Sequence, residues 1–153
     1  MEDYSKNTTR EQLELKLGEQ LNALISASHA LNVRTAARFD STLQPAAFLI
    51  VRWLFTFGPT NATVLAESTA MDRSSVSRLV NQLKRLDYVK SETSPDDRRG
   101  VLLSLTELGR QQTKDALQEK ESVFYKRISK LEDSELEKFI QMLKFLNDNG
   151  TNK

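Results

Sequence analysis

The sequence contains no cysteine, which removes disulfides, thiolate metal ligands and any sensing mechanism that works by thiol oxidation. It has one histidine, His29, and a lone imidazole cannot build a zinc site unaided. No Gly-rich phosphate loop is present, and no histidine and acid flank a plausible nucleophile, so the chain is expected to be no enzyme and to need no cofactor. No apolar run approaches the roughly 20 residues of a membrane span. The first ten residues, MEDYSKNTTR, are polar and lack a signal-like apolar core. A soluble cytoplasmic protein without a membrane partner is therefore expected. A dominant charge is missing as well: 22 Lys and Arg stand against 21 Asp and Glu, and that balance gives no direct argument for a polyanionic partner. Residues 72–100 hold seven bases against five acids, an excess of two, while the rest of the chain sums to −1. So mild a bias carries little weight alone.

What is there is mostly helical rhythm. With 153 residues the chain can bury a sizeable core, and one globular unit over 1–153 is the first expectation. Thr8 and Glu11 stand at capping-box spacing before Leu13, Leu17, Leu21, Leu24 and Leu31, which predicts a long helix over 8–39. Pro45 suits the first turn of a second helix carrying Phe48, Leu49, Val51, Trp53, Leu54 and Phe57, ended by Gly58-Pro59. Apolar residues on both of its sides predict burial nearly all round. Asn61 caps a short third helix from Ala62 to about Thr69, with Val64 and Leu65 inward, and Asp72 caps a fourth. After Tyr88 the period becomes alternating: VKSET at 89–93 and VLLSL at 101–105 read as two strands, with Val101, Leu103 and Leu105 on one face. They are joined by the charged tip SPDDRRG. Thr106 caps a long fifth helix with Leu108, Ala116, Leu117, Val123, Phe124, Ile128 and Leu131, and Glu132, Asp133 or Ser134 starts a sixth, with Leu136, Phe139, Ile140, Leu143 and Leu146 inward. The fold class is mainly α with a small β-hairpin.

The fourth helix, DRSSVSRLVNQLKR at 72–85, places Val76, Leu79, Val80, Leu83 and Leu86 on one side at buried-stripe spacing. Ser74, Ser77, Arg78, Asn81 and Arg85 fall on the other, with no acid between Arg73 and Lys84. Two short helices, a tight turn and a following hairpin form a winged helix-turn-helix, whose second helix fits the DNA major groove. Short serines allow close approach and can donate to phosphate or base acceptors, arginine can bond guanine bidentately, and the helix N-terminus favours phosphate.

From 64 to 109 the chain resembles the MarR family of bacterial transcription regulators, through VLAESTAMDRSSVSRLVNQLKRLDYVKSETSPDDRRGVLLSLTELG. The D-x-R tip, the aliphatic strand and L-T-x-x-G all stand at the right distance from DRSSVSRLV. The resemblance implies a homodimeric, sequence-specific regulator of double-stranded DNA, most often a repressor. A winged lobe over 45–106 would meet a pseudo-palindromic operator, and helices over 8–39 and 107–149 would form the dimerisation region. Their broad apolar stripes independently favour a partner chain. Carried over residue by residue, Arg73, Ser74, Ser75, Ser77, Arg78 and Gln82 read the major groove, although the helical wheel turns Ser75 toward the core. Arg99 enters the minor groove, where negative potential concentrates, held by Asp97, with Arg98 and Lys90 as phosphate contacts. The family also binds small aromatic or phenolic effectors, for which His29, Arg52 and Trp53 are conceivable pocket residues. Two positions depart from the family pattern: the usual Leu-Gly of the motif's turn is Thr69-Ala70, and the second helix is preceded by Gln44, a poor cap.

Plainer readings stand beside these. The face of 74, 77, 78, 81 and 85 could be a solvated helix side, and the DDRRG tip an exposed turn held by a local Asp-Arg pair. His29 could simply pack between helices, and Phe39, Phe48, Trp53, Phe55 and Phe57 could be core. A winged-helix protein-interaction module without DNA binding is the alternative function. Such a surface would carry an apolar or aromatic anchor, and this face has none.

Overall fold

The computed structural model describes residues 3–93, 100–118 and 123–147, excluding the side chains of 3–8, 123 and 124. Its elements are α1 (Asp3–Phe39), α2 (Pro45–Phe57), α3 (Ala62–Thr69), α4 (Arg73–Arg85), β1 (Val89–Thr93), β2 (Val101–Leu105), α5 (Glu107–Gln118), α6 (Val123–Ile128) and α7 (Asp133–Asn147). The chain divides into two compact units, 1–117 and 118–153. The expected long fifth helix is described as α5 and α6, and residues 119–122 between them lie outside the described residues.

In the first unit the core is built on α2 and α4. Ala47, Phe48, Ile50, Val51 and Leu54 of α2 are buried, as are Val76, Leu79, Val80 and Leu83 of α4. They close over Leu65 of α3 and Leu103 and Leu105 of the hairpin. At about 1.5–3 kcal/mol for each fully buried aliphatic side chain, this stripe is what commits α4 to a single orientation. The predicted all-round burial of α2 is corrected: Leu49 and Phe57 are exposed and Arg52, Trp53 and Phe55 half-buried, so α2 has one wet side. Val101 is exposed too, because the strand's first residue runs out past the edge of the helices that cover Leu103.

Local chemistry sets the boundaries. Pro45 opens α2 while Gln44 makes no side-chain cap. Asn61 Oδ1 accepts the Val64 N–H at 2.9 Å and starts α3. Between α3 and α4, Ala70 adopts the left-handed conformation at φ 53, ψ 39, and Met71 N–H closes the turn on Ala66 O at 3.0 Å. The Thr8 cap is corrected: α1 already runs from Asp3, so Thr8 lies within it.

β1 and β2 pair antiparallel with Val89 opposite Leu105 and Thr93 opposite Val101. A further bridge, unforeseen in the sequence, joins Thr60 and Leu103 by two backbone hydrogen bonds of 2.7 and 3.0 Å. It ties the hairpin to the turn entering α3. Gly109 shows why the stretch after the hairpin needs a glycine: a Cβ there would sit 2.1 Å from the Tyr88 carbonyl oxygen. Thr106 fixes the same junction. Its N–H donates to Tyr88 O at 3.0 Å and its Oγ1 accepts the Gly109 N–H at 3.0 Å, capping α5 as expected.

Tyr88 links the lobe to the end of α1. Its ring packs on Phe39 at 4.7 Å, and its hydroxyl donates to Asp40 Oδ2 at 2.9 Å. Thr42 donates its hydroxyl and its N–H to Asp40 Oδ1. The Thr42 hydroxyl, then its N–H, then Tyr88, hold the Asp40 carboxyl below its ordinary value against a smaller opposing effect of burial. Burial, followed by Asp40, pushes the Tyr88 phenol up.

In the second unit α7 has no buried residue. Leu136 and Leu143 are half-buried, while Phe139, Ile140 and Leu146 of the stripe expected inward are exposed, together with Met142 and Phe145.

Candidate nucleic-acid interface

α4 is held by its buried stripe and by Asp72 at its start, and the opposite side is left to solvent. Ser74, Ser77, Arg78, Asn81 and Arg85 are all exposed on that side, as is Arg73 in the first turn. Ser75 and Gln82 are half-buried at its margins, so the helical wheel placed Ser75 correctly. Among the described residues no carboxylate pairs with Arg73, Arg78, Lys84 or Arg85. Their guanidinium and ammonium groups are available to an anion.

Within the chain itself the local geometry commits the protons of two of the serines. The serines were expected to donate to phosphate or base acceptors beside a helix N-terminus that attracts phosphate. Here Ser74 Oγ donates to Asp72 Oδ2, Ser75 Oγ donates to Asp72 Oδ1 at 2.6 Å, and the Ser75 N–H donates to Asp72 Oδ2 at 3.0 Å. Those bonds, led by the Ser74 hydroxyl, hold the Asp72 carboxyl far below its ordinary value. One N–H of the first turn of α4 is thus taken by the carboxylate of an exposed residue, and both oxygens of that carboxylate are engaged by serines.

Further along α4, Lys84 joins Arg78, Asn81 and Arg85 of the face read from the sequence. Arg78, Asn81, Lys84 and Arg85 line an open cleft of about 690 Å³. From Arg78 these residues stand at i, i+3, i+6 and i+7, close enough on a helix to share one side. A second cleft, about 250 Å³, runs between α4 and the hairpin and is lined by Ala62, Ser77, Val80, Asn81, Lys84, Val101 and Leu103. Lys90 is exposed on β1 with its ammonium 3.4 Å from Glu92, a surface pair worth at most about 1 kcal/mol and easily exchanged for a phosphate. Asp97, Arg98 and Arg99 lie outside the described residues.

The three residues considered for a small ligand are not gathered into either cleft. His29 is exposed on α1, Arg52 and Trp53 are half-buried on α2, and Trp53 stacks on Phe57 at 4.9 Å. Of the other aromatics, Phe39 and Phe48 are core, with ring centroids 5.5 Å apart. No helix among the described residues is long and apolar enough to cross a membrane, and no group of metal-binding side chains occurs among them.

Comparison with known proteins bears on this surface directly. Residues 41–100, which hold α2 to β1 and the hairpin tip, match a family model described as "MarR family". The uncharacterized HTH-type transcriptional regulator YxaD of Bacillus subtilis (strain 168) is 30% identical over 105 residues, covering 69% of this chain and 73% of that protein. The HTH-type transcriptional repressor NicR of Pseudomonas putida is 33% identical over 70 residues, 46% of this chain and 44% of that one. Among solved structures, a MarR family transcriptional regulator from Silicibacter pomeroyi DSS superposes with a TM-score of 0.74 at 18% identity, covering 90% of this chain and 91% of that one. That likeness concerns the fold.

Proposed function

This chain belongs to the MarR family of DNA-binding transcription regulators, and from that premise we propose that it is a homodimeric repressor released from its operator by a small aromatic or phenolic ligand. The observation that carries the reading is the exposed face of α4, where hydroxyls, an amide and unpaired guanidiniums stand opposite four fully packed apolar residues. Within the major groove, Arg73, Ser74, Ser75, Ser77, Arg78 and Gln82 meet base edges, and Arg78 has the reach and fork geometry for a guanine. Lys90 and Arg98 contact phosphates, while Arg99, steadied by Asp97, reads the width of the adjacent minor groove. Asn81, Lys84 and Arg85 extend the backbone contact toward the far end of α4.

Two copies of such a face, related by a two-fold axis, fit half-sites about one helical turn apart on a pseudo-palindromic operator. The exposed apolar stripe of α7 and the exposed Leu13, Leu17 and Ile25 of α1 support pairing through the terminal helices. The likeness to NicR, a named repressor, supports repression over activation. Arg52 and Trp53, with His29, are the proposed ligand contacts.

Footprinting on the DNA upstream of the chain's own gene, with and without small phenolic acids, tests the whole reading. The expected result is two protected half-sites whose protection fades when the acid is added. Protection indifferent to sequence, or none at all, would refute operator recognition. Protection unchanged by any such acid would refute the ligand arm alone.

A further inference from the structure

A serine hydroxyl has one proton and two lone pairs, so toward a base it either donates or accepts, depending on where its proton is already committed. At Ser74 the commitment is visible. Its oxygen contacts Asp72 Oδ2, and an ionised carboxylate can only accept, so the proton in that contact comes from the serine. Ser75 commits its hydroxyl proton to Oδ1 and its N–H to Oδ2 of the same carboxylate. Ser75 is half-buried, whereas Ser74 and Asp72 are exposed, which makes Ser74 the more accessible hydroxyl of the two that Asp72 holds.

Turning the Ser74 hydroxyl outward to serve a base acceptor would exchange a charge-assisted bond for a neutral one roughly half as strong. Leaving the hydroxyl directed at Asp72 keeps that bond and polarises the serine oxygen into a better acceptor. The neighbouring carboxylate also disfavours a phosphate at this end of α4. In the major groove the only hydrogen-bond donors are the exocyclic amines, N4 of cytosine and N6 of adenine, whereas guanine and thymine offer acceptors there.

We propose that Ser74, its proton held by Asp72, acts as a specificity-determining acceptor that recognises the exocyclic amine of one cytosine or adenine in each half-site. This assignment holds only where α4 lies in the major groove, as in the function proposed above. It sets one acceptor, Ser74 backed by Asp72, in the first turn of the recognition helix among the donors Arg73 and Arg78 to Arg85.

The test compares base analogues in the selected operator, using the full chain and its Ser74→Ala and Asp72→Asn variants. At the base pair whose preference the Ser74→Ala variant loses, the amine-bearing base is replaced by its deamino analogue, and separately the purine is replaced by its 7-deaza form, which lacks the N7 acceptor. Loss of the amine is expected to weaken the unmodified protein about tenfold, of the order of one specific base contact, and the Ser74→Ala variant less than twofold. The 7-deaza change is expected to leave both unaltered at that pair. Asparagine caps a helix as well as aspartate but offers a neutral oxygen in place of the carboxylate, so Asp72→Asn is expected to keep the fold while loosening the hold on the serine proton and relaxing the preference for the amine. Sensitivity to the 7-deaza change with tolerance of the deamino one would overturn the proposal. So would an equal amine effect in the unmodified protein and Ser74→Ala, or a base preference untouched by either variant. Each of those results leaves operator binding standing. A chain that binds no operator at all would overturn both readings.

Discussion

At single residues, backbone geometry and hydrogen-bond polarity decide more than residue type does. Ala70 occupies φ 53, a conformation that is costly for any residue with a Cβ and free for glycine. Ala70→Gly is therefore expected to stabilise the chain by about 1 kcal/mol, read as a higher urea midpoint with an unchanged slope. An unchanged midpoint would mean that the turn relaxes without strain. Gly109 is the opposite case. Its Cβ would lie 2.1 Å from Tyr88 O, and both groups are fixed by backbone bonds through Thr106. Gly109→Ala is expected to cost about 3 kcal/mol in the same measurement, and a loss within error would show that the hairpin shifts to make room. Asp72 and Ser74 show a limit of sequence reading: the motif names a cap and a hydroxyl, but that the hydroxyl is directed at the cap appears only once their contact is known.

Among the elements, those whose ends are set by bonds a few residues long were legible in the sequence. Asn61 and Asp72 cap α3 and α4 through partners three residues away, Pro45 begins α2, and both strands fall where alternation replaced the helical period. The Thr60–Leu103 bridge was not legible, since backbone pairing across 43 positions leaves no side-chain signature. Nor was the wet side of α2, whose Leu49 and Phe57 read as core by type alone. Acid should test the two carboxylates that hold these elements. Asp40 and Asp72 both have folded values below their ordinary ones. A depressed carboxyl stabilises the fold above its unfolded value, about 3.9, and that contribution is lost as pH falls through the folded value. Stability is thus expected to decline below about pH 4, and Asp40→Asn or Asp72→Asn to flatten the decline. An acid limb as steep in both variants as in the unmodified chain would place the titrating groups elsewhere.

For the molecule as a whole, the apolar stripes of α1 and α7 were readable as helical periodicity, but what covers them was not, because periodicity marks an apolar face without naming the surface it meets. Phe145 is 82% exposed and Met142 57%, which a lone soluble chain rarely tolerates along a continuous face. A two-fold pair is expected in solution at micromolar concentration. Phe139→Glu with Phe145→Glu is expected to yield single chains by light scattering, with a marked loss of operator affinity because the two half-sites are no longer read together. A chain that is single before any substitution, yet binds its operator tightly, would contradict the paired arrangement.

The exposed face of α4 is the centre of the account, and discrimination between operator and scrambled duplex at fixed salt tests it most directly, with the unmodified chain set against Arg78→Ala. The expected result is a strong preference for the operator in the unmodified chain, reduced by about 1–3 kcal/mol in the variant, while affinity for the scrambled duplex changes far less. Equal discrimination by the two proteins would contradict it.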